Sequence, residues 1–104
     1  MIVRLTNEAE YDLEQVADYI TQDNPQRAQL FMLELRDKCL ALASTPLVFP
    51  LVPRYERFGI LRCVHGNYLI FYRVEPDHVV IIHILHGAMD YAEILFGSGG
   101  SLGF

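Results

Sequence analysis

Residues 67–90 read NYLIFYRV, EPDH and VVIIHILHGAMD in succession, and this stretch decides the fold. Tyr68–Val74 and Val79–Leu85 are short runs of β-branched, aromatic and leucine residues bounded by turn formers, the pattern of buried strands. The joint Glu75-Pro76-Asp77-His78 puts Pro76 at the second position of a turn, where its fixed φ fits. Strands joined this closely pair antiparallel. Each also carries side chains that a plain core does not require: Arg73 in the first, His83 and then His86 in or beside the second. A sheet with one face in the core and another kept for a partner accounts for both properties.

Working upstream, Phe58–Val64 reads as a further strand, joined through His65-Gly66-Asn67, a compact turn in which Gly66 or Asn67 takes positive φ. Leu47–Arg57 is irregular, because Pro50 and Pro53 exclude both helix and central strand. Before it lie two helices. Asn7 followed by Glu10 has capping-box spacing, and Ala9, Leu13, Val16, Ala17 and Ile20 then fall on one helical face. Glu10, Glu14, Asp18 and Gln22 occupy the other. Asp23-Asn24-Pro25 breaks the chain, with Asn24 as cap and Pro25 at the first helical position. The second helix runs through Ala28, Phe31, Met32, Leu35, Cys39 and Leu42. Leu30, Leu33 and Leu40 make its flanks apolar too, so it is expected to be covered on more than one side. Ser44-Thr45-Pro46 ends it. With a short strand at Ile2–Leu5, the expected order is β-α-α-β-β-β. The fold class is α+β: an antiparallel sheet packed on a helical hairpin, with a short helical turn near Asp90–Phe96. Residues 1–96 form the domain, and 97–104 (GSGGSLGF with its leading glycine) are a tail flexible by composition.

A chain of 104 residues holds one such domain. Its composition is globular, 52% hydrophobic and 20% charged, and its mean hydropathy of +0.21 leaves apolar surface for a partner. The N-terminus turns polar by Thr6 and has no signal-peptide core, and no apolar run reaches membrane-spanning length, so a cytoplasmic protein is expected. Cys39 and Cys63 are too few for a metal motif or a disulfide framework and read as reduced core thiols.

The net charge of −5 is unevenly spread. Residues 1–53 set four basic side chains against eight acidic ones, and residues 74–104 hold four acids and no lysine or arginine. Between them, Arg54, Arg57, Arg62 and Arg73 face Glu56 alone. A local arginine cluster in an acidic protein favours an acidic, amphipathic peptide that folds on binding over direct contact with nucleic acid, which requires a broad basic field.

Four histidines raise the question of catalysis. His83 and His86 differ by three and so point to opposite faces of a strand, while His65 and His78 fall in turns. No metal site is expected, and no cofactor. Neither cysteine sits at a helix start or beside a base, and there is no glycine-rich phosphate loop.

The element order, with DNPQRA opening the second helix and NYLIFYRV then ILHGAMD closing the sheet, resembles the ParE/RelE superfamily, the toxins of type II toxin–antitoxin pairs. The resemblance spans residues 2–96. It is carried by Asp12-Leu13, Tyr19-Ile20, Asn24-Pro25, Pro46, Arg62, the Tyr68–Tyr72 strand and His86-Gly87-Ala88-Met89-Asp90. It implies a ParE-like toxin that inhibits DNA gyrase by protein–protein contact and has no catalytic residues of its own. The implied partner is a ParD-like antitoxin encoded by an adjacent gene. On this reading Arg54, Arg57, Arg62 and Arg73 bind antitoxin, while His86, Met89, Asp90 and Tyr91 bind the target. RelE-like members are instead ribosome-dependent messenger-RNA endonucleases, for which His86 and Tyr91 would be the acid–base groups. Their usual arginines are replaced here by Leu69 and Met89. That activity is the alternative, together with a weakened toxin that only binds its antitoxin.

Overall fold

The computed structural model describes residues 1–97. β1 (Ile2–Leu5) leads into the helices α1 (Asn7–Asp23) and α2 (Pro25–Ala41). After an irregular crossing and a 3₁₀ turn at Glu56–Phe58 come β2 (Leu61–His65), β3 (Tyr68–Val74), β4 (His78–His86) and a short α3 (Tyr91–Phe96). The α+β class and the element order are those expected. The Gly/Ser-rich tail lies, apart from Gly97, outside the described residues.

β2, β3 and β4 form the antiparallel meander, with Gly66 at φ 60° making the tight turn between the first two. β1 joins the far side of β4 in parallel, giving the order β1-β4-β3-β2. The helical hairpin therefore carries the chain from one edge of the sheet to the other across one face. Asn24 caps α2 by accepting from Arg27 N–H at 3.1 Å, with Pro25 first in the helix, as the sequence requires.

Three local expectations are corrected. The cap of α1 is Thr6, one residue before Asn7: its hydroxyl accepts from Ala9 N–H at 3.0 Å and donates to the carbonyl of Ile82 at 2.8 Å. Asn7 has no such tertiary bond to offer. The strand expected from Phe58 begins only at Leu61, because Phe58 closes the 3₁₀ turn and Gly59 takes the left-handed conformation (φ 73°). And within the chain itself Leu30, Leu33 and Leu40 are exposed, so nothing among the described residues covers the second face of α2.

Strand alternation makes two cores. Leu61, Cys63, Ile70, Tyr72, Val79, Ile81 and Ile84 meet the buried faces of α1 and α2. On the opposite face, Phe71 and Leu85 pack with Val52, Ile60, Leu95 and Phe96, so α3 and the irregular crossing act as a lid on the side without the hairpin. Tyr55 stacks on Phe96 with ring centroids 4.1 Å apart, which anchors that lid.

β4 is longer than β1, and its outer edge must be satisfied where β1 stops. Thr6 N–H reaches Ile81 O at 3.0 Å, and Asp12 of α1 then takes over. One of its carboxylate oxygens accepts from Ile84 N–H at 2.9 Å and lies 2.7 Å from His83 Nδ1. The register slips by one residue here: Phe71 pairs with His83 and Tyr72 with Ile81, leaving Ile82 as a bulge. The slip returns Ile84 to the helical core and leaves His83 at the edge, where Asp12 meets it.

Removing the Asp12 carboxylate leaves a half-buried strand N–H and an imidazole without their acceptor, which costs about 2–4 kcal/mol. Urea unfolding of Asp12→Ala should show that loss. Asp12→Asn, which keeps one amide oxygen, should recover part of it, and equal stability of Asp12→Ala and the parent would refute the role.

Candidate functional site

The four arginines lie on the side of the sheet away from the helical hairpin. Arg62 and Arg73 share the strand face that carries Phe71, and Arg54 and Arg57 sit in the crossing whose Val52, Tyr55 and Phe58 pack on that face. They are not equally available. Arg62 Nη1 donates to the Tyr91 hydroxyl at 3.0 Å, and Arg73 Nε donates to Glu75 at 2.9 Å. Arg54 and Arg57 are exposed, and among the described residues neither has a carboxylate within salt-bridge distance. Arg57 lies over the Phe58 ring, 4.6 Å from its centre, within cation–π range. Arg54 occupies the left-handed region at φ 75°, an uncommon conformation for a residue with a Cβ.

His86, Met89, Asp90 and Tyr91 do not form one cluster. His86 stands at the end of β4 on the helical side, edge-on to the Tyr68 ring at 5.2 Å. Its Nδ1 accepts from Ala88 N–H at 3.0 Å, which leaves Nε2 as the proton-bearing nitrogen of the neutral ring. Met89 is exposed beside it. Asp90 is a helix cap, accepting from Glu93 N–H at 3.2 Å to start α3. Tyr91 turns to the other side of the sheet, its ring 5.2 Å from Phe71 and its hydroxyl held by Arg62. The two side chains that would have to exchange protons in a nuclease, His86 and Tyr91, are thus on opposite faces.

The remaining histidines each have a carboxylate neighbour: Glu34 for His65, Asp77 for His78 and Asp12 for His83. Among the described residues no group of three or more histidine, cysteine or carboxylate side chains gathers as a metal site. Both thiols are free and buried, and burial pushes Cys39 up to about 12 and raises Cys63 as well. Thiols in that state are poor nucleophiles at neutral pH.

Two grooves flank α1. The larger, about 920 Å³, runs between β1, α1 and α2, with Leu13, Met32, Leu33 and Leu40 on its walls and Glu10 and Arg36 among its polar residues. The smaller, about 550 Å³, lies between the opposite side of α1 and the end of β4, where Tyr11, Gln15 and Tyr19 face Tyr68, His86 and Met89. Tyr11 was not singled out by sequence reasoning. The available signal was the spacing of Tyr11, Gln15 and Tyr19 at i, i+4 and i+8, a stripe separate from the apolar face of the same helix.

A family model described as the ParE toxin of the type II toxin–antitoxin system parDE matches residues 3–91. The chain belongs to this family, a class of type II toxin–antitoxin toxins. No curated protein matches it in sequence. Among solved structures, the chromosomal ParDE toxin–antitoxin system from P. aeruginosa is similar with a TM-score of 0.72 and 17% identity, over 83% of this chain and 95% of that one. The toxin–antitoxin complex RelBE2 from Mycobacterium tuberculosis is similar with a TM-score of 0.61 and 24% identity, over 82% and 95% respectively. At these identities the likeness is one of fold. No helix among the described residues is long and apolar enough to cross a membrane.

The buried thiol and phenol set the alkaline limit of this fold. Cys39 titrates near 9.0 when free and near 12 here, and burial likewise carries Tyr72 from 10.0 to about 12, its hydroxyl donating to Pro46 O. The unfolded chain releases these protons first. Stability should therefore be full below pH 9 and fall between about pH 9 and 12, by up to about 1.4 kcal/mol per pH unit for each group. Urea midpoints measured from pH 8 to 11 test this: Cys39→Ala should make the decline that begins near pH 9 shallower, and Cys39→Ala with Cys63→Ala should move its start nearer pH 10.

Proposed function

We infer that this chain is a cytoplasmic toxin that works by protein–protein contact, inhibiting DNA gyrase, and that a ParD-like antitoxin neutralises it. The observation that carries the non-enzymatic reading is the separation of His86 and Tyr91 by the thickness of the sheet. RNA cleavage through a 2′-hydroxyl needs an acid, a base and phosphate-binding cations converging on one point. The cation nearest Tyr91, Arg62, is engaged by its hydroxyl, and the side chain before Asp90 is Met89. Membership of the ParE family supports the choice of gyrase as the target.

The antitoxin reading rests on complementary surfaces. Arg54 and Arg57, which have no carboxylate partner among the described residues, offer exposed guanidinium groups to acidic side chains of a peptide. The apolar groove between β1, α1 and α2, together with the exposed Leu33 and Leu40, fits the apolar face of an amphipathic helix. A segment that wraps the toxin would cover both. Arg62 and Arg73 serve that contact only by giving up Tyr91 or Glu75, so they contribute less. His86 and Met89 on one face, with Asp90 and Tyr91 at the start of α3, remain the proposed target contacts.

One contact favours a second reading. The Arg62–Tyr91 pair sets a guanidinium against a phenol, a combination that can hold and protonate a phosphate ester, so a RelE-like ribonuclease is the competing activity. Purified protein should abolish gyrase supercoiling of relaxed plasmid and leave messenger RNA on ribosomes intact. The reverse pattern, lost in Tyr91→Phe, would establish the nuclease.

Met89→Arg adds a bidentate cation where this chain has a thioether and should strengthen gyrase inhibition by about tenfold. If it leaves inhibition unchanged, Met89 is not a target contact. In growth assays, co-expression of the neighbouring gene should relieve arrest. Arg54→Ala with Arg57→Ala should slow antitoxin association by roughly threefold to tenfold and flatten its salt dependence.

A further inference from the structure

The groove between α1 and the end of β4 is built differently from the rest of the surface. Its walls are π-faces and soft apolar atoms: Tyr11, Tyr19 and Met89 are 60%, 69% and 46% exposed, with the Tyr68 and His86 rings at the floor. Two tyrosines left in water along one wall of a groove, facing an exposed thioether on the other, are the composition of an interface centre. None of the lining residues is lysine or arginine. The helix that forms one wall carries six carboxylates and no basic residue. Of these, Asp12 is occupied by Ile84 N–H and His83, whereas Glu8, Glu14 and Asp18 are exposed within one turn of Tyr11, Gln15 and Tyr19.

Tyrosine faces attract cations through their quadrupole, and a carboxylate rim attracts the same cations from a distance. An acidic peptide or a phosphate backbone meets repulsion from the same rim. We propose that this groove is a docking site for an arginine-rich, basic segment of a protein partner, whose guanidinium groups stack separately on Tyr11 and Tyr19, about 12 Å apart along α1, while the acidic side chains of α1 hold its neighbouring charges. The surface is on the opposite side of the sheet from Arg54 and Arg57 and selects the opposite charge. It shares His86 and Met89 with the target contacts proposed above but does not rest on them: Met89→Arg should weaken a basic peptide here whatever it does to gyrase inhibition.

The test uses the full chain, isotopically labelled, titrated with a nine-residue peptide of alternating arginine and serine and with its glutamine-for-arginine counterpart. Amide shifts should centre on Tyr11, Gln15, Tyr19, His86 and Met89, and the glutamine peptide should cause none. Both tyrosines are exposed, so substitution leaves the core intact. Tyr11→Ala and Tyr19→Ala should each weaken binding by about threefold to tenfold, and Tyr→Phe at either site should retain it. Asp37→Asn, which removes an acid on α2 outside the groove, should change it little. Shifts spread evenly over every acidic surface, equal losses from Asp37→Asn and Tyr19→Ala, or no binding would overturn the proposal. So would tighter binding of a single-stranded oligouridine at the same residues, which would assign the stacking platform to nucleic acid.

Discussion

The carboxylate of Asp12 holds together the two halves of this fold. Among the described strands, β4 alone touches both a parallel and an antiparallel neighbour, and its outer edge outlasts β1. An unpaired strand N–H facing a helix must find an acceptor or lose about 1–3 kcal/mol. Asp12 supplies it from α1, and Thr6 closes the gap just before, using one hydroxyl as helix cap and strand clamp together. Helix α1 is thereby fixed in translation as well as in packing. The position of its Tyr11–Tyr19 stripe relative to His86 follows from that lock, because both the stripe and Asp12 ride on the same turns.

The bulge at Ile82 is the second half of the same arrangement. Without the extra residue, Ile84 would turn to the lid side and His83 would be driven toward the helical core. With it, one strand feeds two cores and presents His86 on the helical side. Chemistry is divided accordingly: Arg62 and Tyr91 belong to the lid side, His86 and Met89 to the hairpin side. Side chains close in sequence, Met89 and Tyr91 among them, end in different environments because Asp90 starts a new helix between them.

Local signals in the sequence carried most of the element assignments. β-branched runs with Pro76 and Gly66 between them fix a meander, and Asn24-Pro25 fixes the helix break, because each acts within a few residues. The parallel pairing of β1 with β4 had no such mark, since its partner lies more than seventy residues away in the chain. Thr6 and Asn7 are both good caps by type, and the distant carbonyl of Ile82 decides between them. Asp12 read as part of a conspicuously acidic helix and as half of an Asp-Leu family signature; its structural duty appears only when β4 is laid beside it. The bulge was hidden by the run Val79-Val80-Ile81-Ile82, in which one apolar residue more or less leaves the pattern unchanged. At the site, the exposure of Arg54 and Arg57 was readable from their proline-rich loop. The engagement of Arg62 by Tyr91 was not, for it joins a strand to a helix on a shared face.

The charge pattern then acquires a physical meaning that net charge alone does not have. A net charge of −5 suggests a uniformly acidic protein, yet the exposed Arg54 and Arg57 of the crossing and the carboxylate-rich helix α1 are on opposite sides of the sheet. Sheet and helix layers pack about 10 Å apart, whereas mobile ions screen exposed charges over about 8 Å at physiological salt. The two surfaces therefore do not cancel each other's field. Each can attract a partner of its own sign preference while the other is occupied. On the proposals made above, with α1 locked to β4 through Asp12, an acid-seeking face and a base-seeking face are presented at once, and competition between partners requires physical overlap rather than electrostatics.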